Sequence, residues 1–157
     1  MRGKPASKRK IAPDPKYGST DIAKFINILM QRGKKSVAQR IVYGAFDTIA
    51  EKLKADPLKI FQKALDTVAP TVEIRPRRVG GANFQIPFPV SDFRRKTLAF
   101  RWIIAGALGK KGKPMAEKLA GELIDASKGE GAAMKKKMDV HRMAEANKAY
   151  AHFAKYG

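Results

Sequence analysis

The stretch VEIRPRRVGGANFQIPFPV, Val72 to Val90, decides the fold. Its apolar residues fall on alternate positions, Val72 and Ile74 and then Phe84, Ile86, Phe88 and Val90, with Gly80-Gly81 between the two runs. A period of two broken by a glycine pair reads as a β-hairpin. Pro76, Pro87 and Pro89 each remove a backbone donor, which keeps these strands out of the middle of any sheet. A two-stranded ribbon alone is marginal in water, so this one is expected to project as an arm and to gain stability from a partner.

The alternation also carries an expectation about the turn. A two-residue turn at Gly80-Gly81 would set even positions opposite odd ones, and every apolar residue of the two runs is even-numbered. A three-residue loop, Val79 to Gly81, pairs Ile74 with Ile86 and Val72 with Phe88. The expectation is therefore an odd-length loop or a bulge, with glycine supplying the positive φ. Arg75, Arg77, Asn83 and Gln85 then share the odd-numbered face, with Arg78 near a tip formed by Val79, Gly80 and Gly81.

On both sides of the ribbon the period is helical. Ser19 or Thr20 caps a first helix, whose stripe is Ile22, Phe25, Ile26, Leu29 and Met30, and Gly33 supplies the stop. A second runs from about Ser36 to Lys54, with Val37, Ile41, Ala45, Ile49 and Leu53 in one row beside Val42 and Phe46. A third has Asp56 as cap, Pro57 at its first position and Leu58, Phe61, Leu65 and Val68 inside, and Pro70 ends it. After the ribbon, Leu98, Trp102 and Ala105 define a fourth helix from near Asp92. Pro114 opens a fifth, with Met115, Leu119, Leu123 and Ala126 inside. Gly129 and Gly131 separate it from a sixth, where Met143, Ala146, Tyr150 and Phe153 share a face. The fold class is mainly α: a compact six-helix domain with one projecting two-stranded β-hairpin between helices three and four. Residues 1–18 read as a basic, mostly extended tail, and 19–157 as a single helical domain that includes the ribbon 71–90.

Charge points to the partner. The chain has 33 Lys and Arg against 14 Asp and Glu, a net +19. Self-repulsion of that size disfavours a compact chain unless a polyanion offsets it. The excess is uneven: residues 1–35 carry +8 and residues 71–113 another +8. A uniform solubilising coat would not be blocked in this way, whereas two nucleic-acid-facing regions would. The first block contributes Arg2, Lys4, Lys8, Arg9 and Lys10 in the tail, and Lys34 and Lys35 at the turn between helices one and two. The second contributes Arg75, Arg77 and Arg78 in the ribbon, Arg94, Arg95, Lys96 and Arg101 just after it, and Lys110, Lys111 and Lys113 in the glycine-rich loop 109–113. A basic edge beside a basic ribbon suits folded RNA better than a duplex groove. Trp102 could stack on a base, although its spacing is that of a core residue.

Other classes find little support. The longest apolar run, Trp102 to Leu108, is too short to span a bilayer. The basic N-terminus has no apolar run of the secretory type, and Pro5, Pro13 and Pro15 spoil a transit-type amphipathic helix. With no cysteine there is no disulfide or thiolate metal site. His141 and Glu145 are spaced for one ion, but His152 lies two turns beyond, so no metal site is expected. Gly33-Lys34-Lys35 and Gly112-Lys113-Pro114 lack the rest of a phosphate-binding loop, and Gly80-Gly81 belongs to no dinucleotide fingerprint. Nothing suggests an acid–base pair, so no enzyme and no cofactor are expected.

Four separated motifs carry a family resemblance over nearly the whole chain. They are Asp14-Pro15-Lys16-Tyr17 with Lys24-Phe25-Ile26-Asn27 and Gly33-Lys34-Lys35; Arg77-Arg78-Val79-Gly80-Gly81-Ala82 with Gln85 and Pro87; Arg101-Trp102; and His141-Arg142-Met143-Ala144-Glu145-Ala146-Asn147. In this order they resemble bacterial-type small-subunit ribosomal protein seven. The resemblance implies binding to the 3′ major domain of small-subunit rRNA, assembly of the subunit head, and a place near the tRNA exit site and the mRNA path. It also implies proximity to small-subunit ribosomal proteins nine, eleven, thirteen and nineteen, and repression of the protein's own operon as a further role. It implies no membrane and no obligate homo-oligomer, and a ribosomal location, cytoplasmic, with an organellar ribosome left open. On this reading Arg78, Asn83, Lys136, His141, Arg142 and Lys148 face tRNA, mRNA or a protein. The chain departs from the family at Pro89, Ser91-Asp92, Met138 and the end His152-Phe153-Ala154-Lys155-Tyr156. An architectural DNA-binding protein with a β-arm and an enzyme acting on RNA are the rival readings. Competition by duplex DNA would separate the first, and turnover dependent on one carboxylate or histidine the second.

Overall fold

A computed structural model of the chain describes residue 3 and residues 10–155, with the side chains of Val79 and of residues 153–155 outside that description. Among these residues are six α-helices and one two-stranded antiparallel hairpin between the third and fourth, the arrangement expected. The elements are α1 (Thr20–Leu29), α2 (Lys35–Leu53), α3 (Pro57–Val68), β1 (Val72–Val79), β2 (Ala82–Pro89), α4 (Asp92–Gly109), α5 (Met115–Lys128) and α6 (Gly131–Ala146), followed by a 3-10 helix, Lys148–Lys155.

The chain divides into two units, residues 1–40 and 41–157. In the first, the Asp14 side chain accepts the N–H groups of Lys16 and Tyr17, each at 3.1 Å, and Gly18 N–H donates to the Asp14 carbonyl at 2.8 Å. This closed turn delivers the chain to α1, whose Ile22, Phe25, Ile26 and Leu29 are buried. The helix ends at Leu29, short of Gly33, because Met30 already turns to extended backbone; Gly33, at φ +74°, serves the turn that follows.

In the second unit, Phe46 of α2 meets Phe61 of α3 with ring centroids 5.5 Å apart, and Phe61 stacks on Phe100 of α4 at 6.3 Å. Asp56 caps α3 by accepting Leu58 N–H at 2.9 Å, with Pro57 in the first turn, where a missing N–H costs nothing. Helices α4, α5 and α6 pack on one another through Ile103, Ala107, Leu119, Leu123, Ala126 and Ala133, all buried.

Three helix faces differ from expectation. In α2, Val42, Ala45, Phe46 and Ile49 are buried as expected, but the two ends of the expected row, Val37 and Leu53, are exposed, and Ala38 is buried in place of Val37. In α4, Ala105 is exposed and Trp102 half-buried, while Ala99, Phe100, Ile103 and Ile104 turn inward with Leu98. In α6, Ala133, Val140 and Ala144 are buried, whereas Met143, Ala146 and Tyr150 are exposed, and the α-helix stops at Ala146. Closely packed helices bury small residues, so the larger side chains do not mark the inner face. Phe153, the last of the expected stripe, has its side chain outside the described residues.

The ribbon overturns the expected register. Val79 pairs with Ala82 across a two-residue turn, Gly80 and Gly81 both have positive φ (+58° and +88°), and the pairs run without a bulge to Val72 with Pro89. Two positive φ values give a turn of type I′, whose twist matches that of the flanking strands. The prolines explain why apolar pairing lost. The turn closes on a hydrogen-bonded pair, Val79–Ala82, and bonded and non-bonded pairs then alternate. At the far end Val90 N–H donates to the Thr71 carbonyl at 3.1 Å, in phase with that alternation. Pro76, Pro87 and Pro89 therefore all occupy non-hydrogen-bonded pairs, where no ladder donor is missed. The three-residue loop would have put either Pro76 or both Pro87 and Pro89 in bonded pairs.

This register changes which residues share a face. Glu73, Arg75 and Arg77 stand with Phe84, Ile86 and Phe88, while Arg78 stands with Asn83, Gln85 and the prolines. The expected odd-numbered face of Arg75, Arg77, Asn83 and Gln85 is thus split between the two sides. Ile86 is fully buried, and the Phe84 ring lies 4.9 Å from that of Tyr150 in the 3-10 helix, so the ribbon is anchored to helical structure.

Candidate nucleic-acid interface

At the base of the ribbon, one carboxylate gathers two arginines. Glu73 of β1 is buried. Its Oε1 takes Nε and one Nη of Arg75, two residues on and therefore on the same strand face. Its Oε2 accepts from Nε of Arg94, in the first turn of α4, at 3.0 Å. Burial alone would raise the Glu73 pKa, but the hydrogen bonds and charges of Arg94 and Arg75 outweigh it and hold the carboxyl below the usual 4.5. The Arg75 guanidinium also lies 5.2 Å from the centre of the Phe88 ring, a cation–π contact diagonal across the strands. Both arginines keep solvent-facing surface, with Arg75 58% and Arg94 41% exposed.

Toward the tip, Arg78 and Asn83 are directly opposed and exposed, and Arg77 opposes Phe84 on the other face. Along α4, Arg95 lies 3.6 Å from Asp92, and its Nε is buried without a hydrogen-bond partner among the described residues. Lys96 and Arg101 are exposed. On the facing side of α6, Lys137 donates to the Thr67 carbonyl, and burial and then the charge of Arg95 push its pKa down. One turn on, His141 Nε2 accepts Thr71 N–H at 3.4 Å, and burial followed by Lys137 lowers the histidine pKa. Arg94, Arg95 and Lys137 thus line the junction from which the ribbon leaves.

The other candidates are more scattered. The loop 109–113 lies at the opposite end of α4 from Arg94, roughly 24 Å away at 1.5 Å per helical residue. There Lys111 and Lys113 are exposed, but Lys110 is engaged internally, 2.7 Å from Asp125 and 3.0 Å from Glu122. Lys136 is exposed, Arg142 pairs with Asp139 at 2.9 Å, and Lys148 with Glu145 at 3.4 Å. In the separate unit of residues 1–40, Lys34 and Lys35 are exposed at the start of α2, as is Lys10 in the segment before α1. Arg2, Lys4, Lys8 and Arg9 lie outside the described residues. Among the described residues, no three His, Cys, Asp or Glu side chains could together hold a metal ion, and no helix is long and apolar enough to cross a membrane.

Sequence reasoning missed Glu73 and gave Lys137 no specific role. For Glu73 the signal was present: an acid two residues from an arginine on a strand must share its face. For Lys137 there was none, since Thr67 and Arg95 approach it only through the tertiary fold.

Comparison with known proteins agrees with the motifs. A family model described as Ribosomal protein S7p/S5e matches residues 1–148. Small ribosomal subunit protein uS7 of Azotobacter vinelandii is 57% identical over 152 residues, covering 97% of each chain. The protein of the same name from Thermotoga maritima is 56% identical over 153 residues, covering 98% of this chain and 99% of its own. With a family match over 1–148 and relatives covered nearly end to end, this chain belongs to the ribosomal protein S7 family of the small ribosomal subunit.

Proposed function

We propose that the chain is an RNA-binding scaffold that attaches to the 3′ major domain of small-subunit rRNA, helps to assemble the subunit head, and lies near the tRNA exit site and the mRNA path. Small-subunit proteins nine, eleven, thirteen and nineteen are its proposed neighbours, and repression of its own operon is a further proposed role. Residues 1–18 act as a basic tail and 19–157 as the RNA-binding body. The observation that carries the reading is the convergence of Arg75, Arg94, Arg95 and Lys137 where the ribbon leaves the helices, in a chain of net charge +19. Arginine forks pair with phosphates and stack on bases, and A-form RNA is read through shape and unpaired nucleotides rather than its narrow major groove. Lys110 is the weakest of the proposed RNA contacts, because two carboxylates already hold it.

The test is a filter-binding titration with small-subunit rRNA fragments across a salt series. If about eight phosphates are neutralised, affinity falls roughly 10³- to 10⁵-fold between 50 and 200 mM salt. Changing Arg75, Arg77 and Arg78 together to Ala costs at least about 1 kcal/mol of binding. A flat salt response, equal displacement by duplex DNA, or unchanged affinity of the triple variant would each overturn the reading.

A further inference from the structure

We infer that Glu73 is a positioning residue of the interface: it fixes the planes of Arg75 and Arg94 so that their outer N–H groups present one preformed fork to a single phosphodiester of the bound RNA. This rests on the reading that the chain binds RNA through the ribbon and its base.

A buried acid at the centre of a basic surface needs an account. Glu73 cancels one of the two positive charges it holds, and a carboxylate beside a phosphate repels it. Simple charge complementarity would place a neutral residue here. Geometry supplies the reason. An arginine side chain carries about 2 kcal/mol of rotamer entropy, lost when it orders on a ligand. Arg75 has that freedom removed in advance: one edge of its guanidinium is on Glu73 Oε1 and its Cζ lies over the Phe88 ring. Arg94 is tied through Nε, so its terminal nitrogens remain as donors. Both are bound to one carboxylate and so lie within reach of one phosphate, although they come from different elements, β1 and α4. Arg95 and Lys137 stand behind Arg94 at the same junction, where further positive charge adds to the attraction. The carboxylate also links the ribbon to α4, so the fork forms only when the ribbon holds its angle to that helix.

The two accounts of Glu73 predict opposite signs. In the full-length chain, Glu73→Gln keeps the shape and removes the charge. If charge alone matters, RNA binding tightens and the salt slope grows by up to about 0.9. If Glu73 positions the arginines, binding to a 3′-major-domain rRNA fragment weakens by about tenfold or more, the usual scale for one charge-assisted hydrogen bond. Glu117→Gln, on the exposed side of α5, is the control for adding one positive charge to the chain. Arg94→Lys, which should fold whatever Glu73→Gln does, keeps the charge and loses the fork; it too should weaken binding by about fivefold. In an Arg75→Ala/Arg94→Ala background, Glu73→Gln should no longer weaken binding, whereas a purely structural role would give additive losses. Tighter or unchanged binding by Glu73→Gln, full affinity of Arg94→Lys, or additivity in that background would overturn the inference while leaving RNA binding itself intact. Failure of the unaltered chain to bind the fragment would instead overturn the reading on which the inference rests.

Discussion

Lys110, at the C-terminal cap of α4, places its Nζ 3.0 Å from Oε2 of Glu122, a carboxylate with no solvent exposure. Among the described residues no donor is aligned on Oε2 in hydrogen-bond geometry, so the ammonium is its electrostatic partner. The other oxygen, Oε1, accepts Ala133 N–H at 2.8 Å, in the first turn of α6. Asp125 holds the same ammonium at 2.7 Å. One buried acid thus joins the end of α4, the middle of α5 and the start of α6, where the helix dipole favours negative charge.

Removing the cation should therefore act on stability. Lys110→Met leaves a buried carboxylate with one hydrogen bond and no counter-charge. Breaking a buried pair from one side costs about 3–5 kcal/mol. Lys110 is 34% exposed, so solvent screening reduces this to about 2–3 kcal/mol. Urea unfolding of the two proteins measures it, and an unchanged midpoint would contradict the network. Burial lowers the Lys110 pKa, but the hydrogen bond to Asp125 and the negative charges of Glu122 and Asp125 outweigh it and raise it above 10.5. The contribution is accordingly complete below pH 10.5 and is lost as pH rises through the higher folded value, so the difference persists throughout the neutral range.

Two glycines in helices should respond in opposite directions to the same change. A Cβ at Gly106 would stand 2.6 Å from Glu122 Oε1 and 2.8 Å from its Cδ. Alanine normally gains up to about 1 kcal/mol over glycine within a helix. Here it must displace a buried, hydrogen-bonded carboxylate, and overpacking of that kind costs about 1–3 kcal/mol. Gly106→Ala should lower the thermal midpoint. At Gly44 the nearest heavy atom to a new Cβ is the Ala116 Cβ at 3.5 Å, an ordinary contact, so Gly44→Ala should leave the midpoint unchanged or raise it.

These residues also mark how far the sequence can be read. The helices and the hairpin are legible because their apolar periods are long and unambiguous, as in Ile22–Leu29 and Phe84–Phe88. The register is not legible from apolar matching, which points to the wrong pairing. Proline parity points to the right one, since Pro76, Pro87 and Pro89 can share a bonding phase only across an even-length turn. The inner face of α6 is hidden because small residues, Ala133, Val140 and Ala144, fill it. Among the site residues, the cations clustered around 75–78 and 94–95 are legible as charge. The engagement of Lys110 is not: Glu122 and Asp125 lie 12 and 15 residues further on, across a loop, and only the packing of α4 on α5 brings them to it.

The turn offers a test of the observed register. Gly80 at φ +58° and Gly81 at φ +88° both occupy left-handed backbone, and a Cβ added at either position would meet nothing within 4 Å. Asparagine tolerates this region and is favoured at the first position of a type I′ turn, so Gly80→Asn should leave ribbon and stability unchanged. Gly81→Val has space but not backbone freedom, and left-handed backbone costs such a residue about 1–2 kcal/mol. Amide exchange along Val72–Pro89 should quicken in Gly81→Val and not in Gly80→Asn. Equal protection in both would mean that the turn does not need two positive φ values.

Acid should loosen the ribbon base through His141. Its Nε2 accepts Thr71 N–H, so the imidazole is neutral there with its proton on Nδ1, and protonation would break the bond. Burial and then the charge of Lys137 hold its pKa below 6.5. Glu145, one turn further along α6, is paired with Lys148 and lends no compensating charge. Between the two values the unfolded chain binds more protons than the folded one, so stability present above pH 6.5 is lost as pH falls through the folded value. Thermal midpoints measured from about pH 7.5 to about pH 5 should therefore drop more steeply in the unaltered chain than in His141→Gln, which cannot titrate. Lys137→Met removes the lesser of the two causes, leaving burial in place, and should flatten the slope in part, by letting the imidazole pKa rise some way toward that of the unfolded chain. Identical slopes in all three proteins would show that the contact between His141 and Thr71 contributes nothing to holding the ribbon.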